Sequence, residues 1–264
     1  MESPALNLYQ AQHSPLHRLD PRVKVMLTVL IIFSNILLPD GAWPGLILTW
    51  TFLLLSAQLS RVGIGFLLSR SLIVLPFALA AATLLISTPG DPLWEVPWPQ
   101  VTITTAGFIR FSTIMLRSWI SVQAAILLSA TTPFPDLIHA LRHLKMPSVL
   151  VSTISFMYRY LFVIIGEARR LLRARASRSA AGPDGGRKKS LSWSARTAGS
   201  MVGQLFLRSV ERSERIYQAM QVRGFRGQLL TLNPHRMKPR DWMILSSVTV
   251  FLLLIQVLTY FSMA

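Results

Sequence analysis

Trp242-Met-Ile-Leu-Ser-Ser-Val-Thr-Val-Phe-Leu-Leu-Leu-Ile-Gln-Val-Leu-Thr-Tyr-Phe-Ser-Met263 contains no charged side chain. A helix needs about 20 such residues to cross a hydrocarbon core, and every backbone polar group must be satisfied inside it. Working back along the chain, four more segments qualify as spans: 106–130, 71–87, 43–59 and 23–38. The last two are short and joined by Pro39-Asp40-Gly41-Ala42, a tight turn, so they read as one hairpin. The predicted fold class is all-α, a polytopic membrane helical bundle of about five spans with long cytoplasmic helices.

Composition agrees. Of 264 residues, 52% are hydrophobic and 14% charged, with a mean hydropathy of +0.46. A soluble domain carries about a quarter charged residues. The net charge is nevertheless +16, with 27 Lys+Arg against 11 Asp+Glu, so apolar spans must alternate with strongly basic loops. The absence of cysteine excludes disulfides, thiolate nucleophiles and cysteine-based metal sites. The first apolar run starts only after Pro21, and no small-residue cleavage site follows it, unlike an export signal.

The placement of cations sets the orientation. His17, Arg18, Arg22 and Lys24 precede the first span, Arg61 and Arg70 follow the second, and Arg and Lys crowd the chain from Arg142 to Arg240. Residues 39–42 and 88–105 hold no Lys or Arg, and the second of these carries Asp91, Trp94, Glu95 and Trp98. The expected location is the inner (plasma) membrane, with the N-terminus and the basic region cytoplasmic. The organisation follows: a four-span membrane domain over 1–130, a cytoplasmic region over 131–239, and a C-terminal transmembrane helix over 240–264.

Within the cytoplasmic region, Thr131-Thr132-Pro133 opens a helix with Asp136 in its first turn. Leu137, Ile138, Leu141 and Leu144 form an apolar stripe, and Pro147 ends it. A second helix runs through Glu167 to Arg178 from the apolar stretch 149–166. Tyr158, Arg159 and Tyr160 in the middle of that stretch suit an interfacial or protein-packed helix better than a lipid-facing one. Residues 181–189 are a flexible linker by composition. A third helix, 195–222, carries Phe206, Val210, Tyr217 and Met220 on one face and Arg208, Glu211, Arg212, Glu214 and Arg215 on the other. Glu211 and Arg215 have favourable i,i+4 spacing, and Gly224 stops the helix.

Four features could carry chemistry. Ala176-Ser177-Arg178-Ser179 and Val222-Arg223-Gly224 end the two long helices in an arginine. Its planar fork suits an acidic groove on a soluble partner, or simply satisfies the helix dipole. His139 and His143 have metal-compatible i,i+4 spacing, but without further His or Cys nearby they read as solvated side chains and no metal site is assigned. Arg110 and Arg117 fall inside the fourth span, where Arg110 can snorkel outward and Arg117 serves either packing or function. Gly182-Pro-Asp-Gly-Gly-Arg-Lys-Lys-Ser190 lacks the spacing of a phosphate loop and follows no strand.

Those two arginine signatures resemble the paired X-Arg-X motifs of the transmembrane T component of energy-coupling factor transporters. His17-Arg18-Leu19-Asp20-Pro21-Arg22-Val23-Lys24 is similar to the family's N-terminal signature. Residues 131–147 and Arg208-Ser209-Val210-Glu211-Arg212 match its pattern in the same order. Phe225-Arg226-Gly227 and Pro239-Arg240-Asp241-Trp242 resemble the cobalt-type branch, CbiQ. The first signature ends in Ser179 where the family has glycine.

The resemblance implies a non-catalytic coupling subunit with no cofactor of its own. Two cytoplasmic ATP-binding subunits would receive Arg178, with Ser177, and Arg223, with Val222 and Gly224. Phe206, Val210, Tyr217 and Met220 would transmit motion to the membrane helices and to a substrate-capture subunit that selects the metal. Cobalt is the implied cargo, with nickel or a vitamin as alternatives. A self-sufficient secondary transporter would need paired ionisable residues at mid-membrane, and no Asp or Glu falls inside the spans named. A nucleic-acid binder would need an aromatic stacking platform beside the arginines, which is lacking. The expected surroundings are the lipid bilayer and protein partners, not nucleic acid.

Overall fold

The computed structural model describes residues 9–12, 14–96, 101–178, 191–227 and 237–263. The linker expected at 181–189, Ser179 and Trp98 lie outside the described residues. The protein is an all-α membrane bundle. Its helices are α1 (Pro21–Leu37), α2 (Trp43–Leu59), α3 (Ile64–Ser71), α4 (Leu75–Ala81), α5 (Leu84–Ser87), α6 (Thr105–Thr131), α7 (Phe134–His143), α8 (Ser148–Arg178), α9 (Leu191–Val222) and α10 (Pro239–Met263). Among them α6, α8 and α10 are long and apolar enough to cross a membrane, while α2 and the stretch Ile64–Phe77 are shorter apolar helices.

The chain divides into two compact units. One holds the described residues through Leu144 together with those from 237 onward, and the other begins at Lys145. In the first unit Asp20 caps α1, its carboxylate accepting from the Arg22 amide at 2.9 Å, and Pro21 occupies the first turn. Helices α1 and α2 both pack on α6 and α10. Ile31, Leu46, Leu53, Ile120, Ala124 and Leu252 meet in their core. A Cβ on Gly45 would sit 2.6 Å from Thr259 Oγ1, so α2 and α10 approach as closely as small residues allow in lipid. The Trp50 indole donates to Gln123 Oε1 at 3.1 Å across the α2–α6 contact, satisfying polar groups that lipid could not. Outward residues such as Phe33, Ile36, Phe77 and Phe261 are more than half exposed, as expected where the solvent is hydrocarbon.

The segment 71–87, expected as one span, is broken into pieces. A 3₁₀ turn at Leu72–Val74 leads into α4, where Pro76 has no N–H to give, and a turn at 82–83 separates α4 from α5. The loop before α6 contains an antiparallel ribbon, β1 (Pro92–Val96) with β2 (Val101–Thr104). The Val-Thr-Ile-Thr run of β2 has the β-branched composition that favours it. Thr104 Oγ1 then caps α6, accepting from the Gly107 amide at 3.1 Å. At its other end, α7 stops at His143, before Pro147. Lys145 takes a positive φ of 63° there.

Candidate functional site

The N-terminal signature is structural in its first role. Lys24, a buried cation, aims its ammonium at the Thr131 carbonyl (3.0 Å) and the His17 carbonyl (3.3 Å), completing the C-terminus of α6. Arg22 donates to His143 Nε2 at 2.7 Å, which makes that nitrogen an acceptor and leaves Nδ1 to face the His139 carbonyl at 3.2 Å. Nε2 of His143 thus holds α7 against α1, while Nδ1 is fixed within α7 itself.

Arg110 and Arg117 share one carboxylate. Asp40, in the turn between α1 and α2, lies 3.3 Å from Arg110 Nε and 3.3 Å from Arg117 Nη1. Arg117 also donates to the Leu38 carbonyl, and the Gly41 amide donates to Thr113 Oγ1 at 3.2 Å. The two intramembrane cations thus fasten α6 to the α1–α2 turn.

In the second unit α8 and α9 form an antiparallel hairpin. Arg175 lies over the Trp193 ring at 5.7 Å, Glu167 meets Arg208 and Arg212, Phe156 meets Phe225 edge-on at 6.2 Å, and Ser152 Oγ donates to the Gly227 carbonyl at 3.2 Å. Residue numbers rise on one helix as they fall on the other. Glu167 Oε1 accepts from Arg208 at 3.0 Å and Oε2 from Arg212 at 2.8 Å. Glu167 follows the apolar stretch 149–166, and the Arg208 hydrogen bond, with Arg212 beside it, holds its carboxyl below the usual carboxylate range. A groove of about 750 Å³ runs between the helices, lined by Phe156, Tyr160, Ile164, Ile216, Tyr217 and Met220 among others.

Helix α9 ends in a Schellman motif. The Phe225 amide bonds to the Met220 carbonyl at 3.0 Å and the Gly224 amide to the Gln221 carbonyl at 2.9 Å, with Gly224 at φ +77°. Phe225 then packs back on Phe156 of α8, so the end of α9 is fixed while Val222, Arg223 and Gly224 are exposed. At the end of α8, Ser177 and Arg178 are exposed as well, Ser177 Oγ bonding to the Ala174 carbonyl at 2.9 Å. The two arginines lie at opposite ends of the hairpin. At ~1.5 Å per residue from Phe156, which faces Phe225, to Arg178, the separation is on the order of 30 Å.

With this geometry in place, relatives can be compared. The CbiQ family, described as cobalt transport protein, matches residues 12–235. The chain belongs to that family. An uncharacterized protein of Methanocaldococcus jannaschii is 25% identical over 231 residues, covering 86% of this chain and 76% of its own length. The energy-coupling factor transporter transmembrane protein EcfT of Lactobacillus helveticus is 27% identical over 222 residues, 81% of this chain and 78% of that protein. The EcfT of Thermanaerovibrio acidaminovorans is 28% identical over 262 residues, 94% of each chain. This CbiQ-family chain is therefore a membrane component of a transporter.

The predicted faces of α9 are rotated relative to α8. Val210, Tyr217 and Met220 line the groove, but Phe206 does not and is 65% exposed. Arg208 and Arg212, expected on the outer charged face, turn toward α8 because Glu167 receives them. Sequence reasoning gave Glu167 and Asp40 no role. Both carried a signal: Glu167 is the lone acid in an arginine-rich helix, and Asp40 is the acid in a turn beside a span with two arginines.

Proposed function

We propose that this chain is the transmembrane coupling subunit of an energy-coupling factor importer, with cobalt as the cargo. Two cytoplasmic ATP-binding subunits each take one helix end: one holds Arg178 with Ser177, the other Arg223 with Val222 and Gly224. A membrane substrate-capture subunit covers the exposed apolar surface of α9 around Phe206, Val210 and Tyr217. The chain itself catalyses nothing; the energy comes from its partners.

What supports the reading is the placement of the two exposed arginines at opposite ends of one antiparallel hairpin, in a family of cobalt transport proteins with EcfT relatives. Side by side, they would fit one acidic groove; on the order of 30 Å apart, they fit two bodies. Closure of the two ATP-binding subunits moves the hairpin's ends together. Because Arg178 and Arg223 end different helices, that closure moves α8 and α9 against each other, and the cross-helix contacts of Glu167, Phe156 and Trp193 carry the motion from one helix to the other. The family description supports cobalt.

Reversing the charge of a desolvated arginine at such an interface costs about 2–5 kcal/mol, a loss of affinity of about 30-fold or more. Cells carrying all subunits should therefore lose cobalt uptake, and tagged chain should lose its ATP-binding partners, with Arg178→Glu or Arg223→Glu. Full coupling in both variants would reduce these residues to helix ends. Uptake by the purified chain alone would make it a secondary transporter. Nickel or a vitamin entering in place of cobalt would overturn the cargo and leave the coupling role standing.

A further inference from the structure

Helix α8 carries two opposed stripes. One, through Phe156, Tyr160, Ile164 and Glu167, faces the groove and α9. The other lies about half a turn away at ~100° per residue and runs through Tyr158, Phe162, Ile165, Arg169 and Arg173. Along this outer stripe Tyr158 and Phe162 pack edge to face at 5.1 Å, and nearby Leu161 and Leu172 are exposed at 41% and 53%. Arg169, Arg170 and Arg173 are exposed. Among the described residues no carboxylate comes within ion-pair distance of these three, whereas Arg208, Arg212 and Arg215 each have an acidic partner. The stripe thus passes from aromatic and apolar residues to unneutralised guanidiniums along a helix long and apolar enough to enter lipid.

That order is the profile of a surface passing from lipid to water: aromatic and aliphatic side chains toward the acyl chains, and arginines where phosphates stand. We propose that the outer face of α8 is a binding surface for anionic lipid headgroups, with Arg169 and Arg173 holding the phosphate oxygens and Tyr158 and Phe162 resting on the acyl chains. Guanidinium suits this role because its fork meets two phosphate oxygens at once. The surface is distinct from both helix-end arginines, so the inference stands or falls independently of the coupling role. Bound lipid would fix the rotation of α8 about its axis and thereby the direction in which the groove opens.

The test is native mass spectrometry of the detergent-solubilised full chain titrated with phosphatidylglycerol, beside phosphatidylcholine and inorganic phosphate. Each arginine near an anionic surface is worth about fivefold, so Arg169→Gln/Arg173→Gln should raise the phosphatidylglycerol concentration at half-occupancy by about 25-fold. The matching double lysine variant keeps the charge and should stay within several-fold of wild type, which separates lost charge from lost fold. Equal retention of phosphatidylglycerol by wild type and the glutamine variant would overturn the proposal. So would inorganic phosphate binding as tightly as the lipid, which would mark a site for a free anion. A glutamine variant that keeps its lipid but sheds the ATP-binding subunits would assign the arginines to an acidic protein surface instead.

Discussion

Gly224 sits at φ +77° with nothing within 4 Å of where a Cβ would stand, so only backbone strain opposes a side chain there. A left-handed φ costs a non-glycine residue about 1 kcal/mol. Gly224→Ala should therefore barely lower the melting temperature of the protein in detergent, by about 2–4 °C. Its larger effect should be on partner binding, because the Schellman bonds that aim Arg223 loosen. Retained full partner affinity in a co-purification assay would show that the aim of Arg223 is immaterial. The glycine was legible in the sequence because its role is local, a stop after a helical run. Asp40 was not, because its role depends on Arg110 and Arg117, some seventy positions away, facing the same turn. A turn residue and a pair of intramembrane cations each have a sufficient separate explanation, and only packing of α1 and α2 on α6 joins them.

At the scale of elements, the α8–α9 hairpin is held at its middle by Glu167 between Arg208 and Arg212. Glu167→Gln keeps the shape and one acceptor but removes the charge from a carboxylate with two guanidinium partners. Coupled ATP hydrolysis in proteoliposomes should fall several-fold while the ATP-binding subunits remain bound, since both helix ends are untouched. Loss of binding and coupling together would place Glu167 in docking rather than transmission. The sign with pH follows from the lowered carboxyl pKa. The ion pair is fully present above the ordinary glutamate value of about 4.3 and is lost only as pH falls through the lower folded-state value. Mild acid therefore should not open the hairpin. Helices of one continuous character, α6 and α10 apolar throughout and α9 amphipathic throughout, were legible from sequence to within a few residues. The segment 71–87 was not, because its hydropathy is continuous across a 3₁₀ turn and Pro76. The rotation of α9 was also hidden. Its amphipathic pattern places the arginines outward, and one carboxylate on the neighbouring helix turns two of them inward.

For the whole molecule, the net charge of +16 is distributed so that orientation is itself a prediction. Cations flank the membrane on the side of α7 to α9, and the β1–β2 ribbon with its neighbouring segments 88–91 and 104–105 carries none, which by the positive-inside rule leaves the ribbon outside. A chain without cysteine gives single introduced cysteines with no background. Three exposed positions test the arrangement: Asp91 before the ribbon, Ala11 ahead of α1 and Ala174 on α8. A membrane-impermeant maleimide should modify Asp91→Cys in intact spheroplasts, and Ala11→Cys and Ala174→Cys only after permeabilisation. Reaction of Ala174→Cys from outside would put the arginine-ended hairpin beyond the reach of cytoplasmic ATP-binding subunits and end the coupling proposal, whatever the family resemblance. Protection of Ala174 on both sides until lipid is stripped would instead place the second half of α8 within the headgroup layer, where its outer arginines are proposed to bind.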